Sequence, residues 1–268
     1  MRILIPILLA CFAIPVFAQQ APCGPDAPCE IDGGNYHLRL PEGWDGATAL
    51  PAVIFFHGHR GTGQSIFRSA GLKADFLDHG YAVVAPNGLN RAYPAREGAP
   101  RDDVAFTLSV IADLGDRIPL DHARVYASGF SAGGSMAWLL ACEAGDRLAG
   151  MVSVAGALRA PNPTECDGLR GLPVMQVHGW TDGQVPFEGR AIRDWHQGSI
   201  WDSLAIATAR NGCRSQPDEI TVGPQFRTRI WGASCAAGAD VRLLVHDGGH
   251  GLPRGWTAAA RSFFEGAN

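Results

Sequence analysis

Charge is scarce and nearly balanced in this chain. Of its 268 residues 18% are charged, and 26 Asp and Glu against 22 Lys and Arg give a formal net charge of -4. No basic run or stripe breaks that balance, which argues against nucleic acid or another polyanion as a partner. C-x-x-C pairs are missing, and with them a common signature of zinc and thiol-redox sites. After the first 18 residues no apolar run is long enough to cross a bilayer, so integral membrane association is not expected. Internal repeats, low-complexity blocks and Ser/Thr-rich linkers are absent too, and no separate polymer- or carbohydrate-binding module can be marked off. What the chain does have is apolar content, 46%, enough for the core of one large domain.

Residues 1–18 carry one positive charge, an apolar run and the small-residue ending Val16-Phe17-Ala18, and read as a signal peptide with Gln19 as the first mature residue. Leu8-Leu9-Ala10-Cys11 has the look of a lipoprotein box but would leave a very short apolar region, so a soluble form exported to the periplasm or beyond the cell is expected. Removing Cys11 leaves an even set of six cysteines, which in an oxidising destination suggests disulfides. Sequence leaves their pairing open; sequential bridges Cys23–Cys29, Cys142–Cys166 and Cys213–Cys235 are expected. Residues 19–34 read as an irregular leader stapled by the first of them, and residues 35–268 as a single catalytic domain.

Within that domain apolar strands alternate with amphipathic helices. Residues 35–40 alternate as an outer strand should, whereas residues 52–56, 81–85, 125–127, 151–154, 173–178 and 241–245 are apolar enough for strands covered on both faces. Helices are expected over 65–79, 104–118, 135–141, 199–210 and 256–264. The order predicts an α/β fold, a mainly parallel central sheet with helices on both faces.

In such sheets reactive groups collect just past the carboxyl ends of the strands. There the sequence places His57-Gly58-His59-Arg60-Gly61, then Gly129-Phe130-Ser131-Ala132-Gly133, then His178-Gly179-Trp180-Thr181-Asp182, and last His246-Asp247-Gly248-Gly249-His250. G-x-S-x-G between a strand and a helix is a turn that lifts a serine above the sheet, and the order Ser131, Asp182, His250 is that of α/β-hydrolases. Ser131 would attack an acyl carbonyl, His250 would take and return its proton, and Asp182 would orient the imidazole. The backbone N–H groups of Ala132 and His59 are the expected oxyanion donors, with Arg60 as second choice for the latter. His246 and Asp247 are the rivals of His250 and Asp182: His246 sits only one residue past the apolar run, and Asp247 is too close to the base to hold its ring from behind. His57 reads as a residue that shapes the oxyanion turn. The pairs His57/His59 and His246/His250 raise a zinc alternative, but Gly248 and Gly249 oppose the helix that would set an i,i+4 pair on one face. No metal or other cofactor is expected.

These residues carry a resemblance. His57-Gly58 after a buried strand, Gly129-Phe130-Ser131-Ala132-Gly133-Gly134, His178-Gly179-x-x-Asp182-x-x-Val185-Pro186 and Gly249-His250 together resemble the secreted esterase family of polyhydroxybutyrate depolymerases and feruloyl esterases. The leader Cys23-Gly24-x-x-x-x-Cys29 looks like that of bacterial members labelled depolymerase. The resemblance implies an α/β-hydrolase that cleaves carboxylic esters without a metal, with Ser131, Asp182 and His250 as nucleophile, acid and base. It departs from the family where Gly251-Leu252-Pro253-Arg254-Gly255 separates His250 from Trp256, since many relatives have Trp-Pro almost directly after the histidine. Trp180 and Phe130 are expected to wall an apolar or aromatic cleft, with core packing as the other reading of each. Hydroxyalkanoate polyesters or their oligomers stand first as substrate on this reading, and feruloyl or acetyl esters of plant polysaccharide second. A serine exopeptidase and a non-catalytic binding protein on a hydrolase scaffold are remote alternatives.

Overall fold

The computed structural model describes residues 23–95, 98–163, 165–192, 195–236 and 239–266; the expected signal peptide and its cleavage site lie outside the described residues. Its strands are β1 (Cys29–Ile31), β2 (Gly34–Arg39), β3 (Leu50–Phe56), β4 (Ala82–Pro86), β5 (Leu120–Phe130), β6 (Gly150–Val154), β7 (Val174–Gly179), β8 (Arg190–Ile192), β9 (Trp195–Gln197), β10 (Glu219–Val222), β11 (Arg227–Trp231) and β12 (Val241–His246). The helices are α1 (Gly63–Ile66), α2 (Ala70–Asp75), α3 (Asp103–Arg117), α4 (Ala132–Ala144), α5 (Ile200–Arg210) and α6 (Trp256–Gly266).

The continuously apolar runs form the centre of one sheet of order β1-β2-β4-β3-β5-β6-β7-β12-β11-β10, and β8 and β9 make a small hairpin of their own. Every pairing from β4 through β12 is parallel, and the two outer pairs at each end are antiparallel. Alternation along β3 divides the core. Ala52, Ile54 and Phe56 face α3, α4 and α5, while Val53 and Phe55 face α2 and α6. Both faces of the central strands are therefore dry, and each fully buried large side chain there contributes about 1.5–3 kcal/mol. All central strands point the same way, which brings the loops after β3, β5, β7 and β12 to one edge.

The three sequential disulfides are present. Cys142–Cys166 ties the end of α4 to the segment that follows β6, and Cys213–Cys235 closes the base of the β10–β11 excursion.

Four expectations change. The described part of the leader is not wholly irregular, because Cys29–Ile31 pairs with β2 through a turn at Asp32-Gly33, where Gly33 has φ of 83°. The sheet thus begins upstream of residue 35. The helix expected over 65–79 is broken into α1 and α2 by a second start at Ser69, whose hydroxyl accepts from the Leu72 amide. Gly71 packs closely against α6, since a Cβ there would lie 2.7 Å from the Thr257 hydroxyl. The 213–235 excursion contains β10 and β11, and β8 and β9 were not foreseen. All of these strands are short and largely exposed, so the apolar pattern that marks the central strands is missing from them.

Among the described residues no helix is long and apolar enough to cross a membrane.

Candidate active site

Ser131 joins β5 to α4 in a strained conformation, φ 57° and ψ -118°. For a non-glycine residue such a backbone costs about 1–3 kcal/mol and must be held by its surroundings. The hold is steric and hydrogen-bonded. A Cβ on Gly129 would sit 2.2 Å from the Gly133 carbonyl oxygen, and one on Gly133 would sit 2.0 Å from that of Phe56. The Ser131 amide donates to the Val154 carbonyl at 2.8 Å, fastening the turn to the end of β6. The two glycines of the motif are there because strand, turn and helix touch.

His250 lies against this serine. Its Nε2 is 2.9 Å from Ser131 Oγ and its Nδ1 is 2.8 Å from Asp182 Oδ2. Asp182 is 5% exposed. Burial pushes its carboxyl up, but the hydrogen bond from His250 and the backbone amides of Val185 and Gln184 outweigh burial and hold it below the usual carboxylate range. Both amides reach Oδ1 at 2.8 Å. An ionised Asp182 accepts a hydrogen bond from Nδ1–H, which leaves Nε2 as the acceptor for the serine hydroxyl. The loops bearing acid and base interlock: the Thr181 amide donates to the Gly248 carbonyl, and a Cβ on Gly179 would come within 2.3 Å of the Gly249 oxygen.

Behind Asp182 runs a buried polar chain that the sequence reading did not single out. Trp138 Nε1 donates to Gln176 Oε1 at 2.8 Å, Gln176 Nε2 donates to His178 Nδ1 at 3.1 Å, and His178 Nε2 donates to the Val185 carbonyl at 2.8 Å. All three side chains are inaccessible to solvent. The chain fixes the His178 tautomer and anchors the turn whose amides hold Asp182. A glutamine in the otherwise apolar run 173–177 was its visible signal.

The turn after β3 is closed by Gly61 N donating to the Gly58 carbonyl at 2.9 Å, with Arg60 at φ of 64°. His57 is 1% exposed. Its Nδ1 donates to the Gly58 carbonyl and its Nε2 accepts from the Gly88 amide, so it shapes this turn as expected and both ring nitrogens are engaged. Arg60 is removed as an oxyanion donor, because its amide already donates to the Arg91 carbonyl at 2.8 Å. The His59 amide has no such partner among the described residues. Ala132 is the first residue of α4, where an amide has no carbonyl one turn back to bond, and Ser131 gives it no side-chain cap.

The Phe130 ring stands 5.0 Å from the His250 ring and against Gly58, so it borders the reacting groups. Trp180 does not. It is 65% exposed and lines a cleft of about 450 Å³ with Trp201, Ile220 and Val222, to which none of Ser131, Asp182 and His250 contributes. The rivals fall elsewhere too: Asp247 pairs with Arg227 on the surface, and His246 Nδ1 accepts from the Gly248 amide.

Residues 51–191 match the family model described as alpha/beta hydrolase fold. Feruloyl esterase C of Emericella nidulans is 30% identical over 275 residues, covering 94% of this chain and 92% of the relative. Feruloyl esterase D of Neurospora crassa is 25% identical, covering 91% and 87%. Among solved structures, an acetyl xylan esterase from Aspergillus awamori superposes with a TM-score of 0.66 at 13% identity, over 88% of this chain and 95% of that one, a likeness of fold. Fold and relatives together define a carboxylic ester hydrolase. The chain belongs to the alpha/beta hydrolase family and, within it, to the group of the feruloyl esterases.

Proposed function

We propose that the protein is an exported serine esterase that cleaves hydroxycinnamoyl or acetyl esters of plant polysaccharide through an acyl-enzyme. The observation that carries the chemistry is the unbroken run of hydrogen bonds from Ser131 through His250 to Asp182. The substrate class is supported by the feruloyl esterases that this chain resembles over nearly its full length. They favour plant esters over the hydroxyalkanoate polyesters that the motifs alone placed first. Three disulfides in the described residues support export.

In the mechanism, Ser131 Oγ attacks the ester carbonyl carbon as its proton passes to His250 Nε2. Asp182 stabilises the imidazolium so formed and keeps its ring in place. The carbonyl oxygen becomes an oxyanion facing the amides of Ala132 and His59, each such donor lowering the barrier by about 3 kcal/mol. His250 gives its proton to the sugar oxygen, the C–O bond breaks, and the alcohol leaves. Water then repeats the sequence on the acyl-serine, regenerating Ser131 and releasing the acid.

Hydrolysis of methyl ferulate, an acetylated xylan and emulsified poly(3-hydroxybutyrate), by wild type and Ser131→Ala side by side, tests this reading. Ferulate or acetate release by wild type alone is expected. Hydroxybutyrate release without ferulate or acetate would reverse the substrate assignment.

A further inference from the structure

The His59 amide is aimed by the peptide it belongs to. A trans peptide points its N–H away from its carbonyl, so whatever holds the Gly58 oxygen also directs the His59 N–H. Two donors hold that oxygen, the Gly61 amide at 2.9 Å and His57 Nδ1 at 2.8 Å. Their pull on the carbonyl also strengthens the N–H at the other end of the same peptide.

The rest of this turn needs a brace. Arg60 has φ of 64°, in the left-handed region, where a residue other than glycine is strained and persists only if its surroundings impose it. Arg91 imposes it. Its carbonyl accepts from the Arg60 amide at 2.8 Å, its guanidinium donates to the Arg60 carbonyl, and its Nε donates to the Gly61 carbonyl at 3.4 Å. The three peptides that follow His59 are thus all tied to one side chain and its backbone.

Arg91 is itself built into place. It ends a turn that begins at Gly88, just past β4, and its amide donates to the Gly88 carbonyl at 2.9 Å. Asn90 and Arg91 both have positive φ, 52° and 61°. A Cβ on Gly88 would lie 2.5 Å from the Ala92 carbonyl oxygen. Buried Tyr93 anchors the far end, bonding the Pro86 carbonyl at 2.6 Å with its ring 4.7 Å from that of His57. The turn therefore grips the oxyanion loop twice, through the Gly88 amide on His57 and through Arg91 on residues 60 and 61. Residues 89–91 are exposed, so core packing does not account for the strain at Asn90 and Arg91.

We propose that Arg91 is a positioning residue for the oxyanion site, holding Arg60 in the left-handed conformation that keeps the His59 amide turned toward the reacting carbonyl. The proposal rests on the serine-esterase reading, with His59 as a donor, and Arg91 acts through the turn. Because that donor serves the oxyanion more than the bound ester, the loss on removing the brace belongs in kcat.

The test is steady-state hydrolysis of p-nitrophenyl acetate, a small ester indifferent to the natural acyl group, by wild type, Arg91→Gly, Arg91→Asn and Ser131→Ala. Glycine and asparagine both accept positive φ, and neither supplies the guanidinium. In both Arg91 variants kcat is expected to fall about tenfold, short of the loss of about 10²–10³ on removing an oxyanion donor outright, with KM near wild type. Phenylboronic acid forms a tetrahedral adduct with Ser131 that puts an oxygen where the oxyanion develops. Its inhibition should weaken by the same factor as kcat/KM, a coupling that a merely structural role would not produce. Thermal melts report whether each variant is folded. Wild-type kcat in either variant when folded, or a loss confined to KM with boronate inhibition unchanged, would overturn the proposal. Hydrolysis that needs Ser131 but ignores Arg91 defeats the brace alone. Hydrolysis that survives Ser131→Ala defeats the esterase reading and the brace with it.

Discussion

Asp182 is held from three directions, by His250 on one oxygen, by two backbone amides on the other, and by the His178 chain anchoring its turn. An amide in its place would keep the shape but present an N–H or a weaker acceptor to His250 Nδ1, favouring the wrong tautomer. Asp182→Asn is therefore expected to lower kcat on methyl ferulate by about 10³–10⁴-fold, and Asp247→Asn to leave it near wild type. The reverse pattern would move the acid to Asp247. Ser131, Asp182 and His250 were legible because each follows a strand whose apolar run announces its end. Arg60 was misread because what decides its amide, the Arg91 carbonyl, lies 31 residues away in sequence and has no signature there. Trp180 walls an apolar cleft with an aromatic partner, Trp201, but on the β10–β11 side, where none of Ser131, Asp182 and His250 lines it: the Asp182 amide bonds back to Gly179.

At the level of elements, two central strands end in buried imidazoles that stay neutral. β3 runs into His57 and β7 contains His178, and burial is the main cause that pushes both below the ordinary histidine value. The hydrogen bonds agree, since His57 Nε2 and His178 Nδ1 each accept one and lose it on protonation. Well above the ordinary histidine value these groups are mostly uncharged whether the chain is folded or not. As pH falls through the ordinary histidine value, about 6.5, the unfolded chain takes up a proton at each and the folded chain resists, so stability declines toward acid. Urea midpoints measured from pH 7.5 down to about 5 should fall steadily in that window, and a flat profile would contradict the burial of neutral rings. Central elements were readable from continuous apolar runs. β1, β8, β9, β10 and β11 were not, because their exposed residues follow pairing partners rather than a buried face, and the break before α2 is marked only by the Ser69 cap on the Leu72 amide.

For the molecule as a whole, parallel strand direction puts four loops on one edge, and three disulfides tie down peripheral segments. That much of the plan was legible, since alternating strands and helices permit few other architectures. The account as a whole depends on Ser131 being an activated nucleophile. Its most direct test is exposure of the folded protein to a fluorophosphonate, followed by peptide mass mapping. The account predicts one phosphonyl group, on the peptide containing Ser131, and none on Ser131→Ala. A label at another residue, or an unlabelled Ser131 in folded wild-type protein, would contradict it.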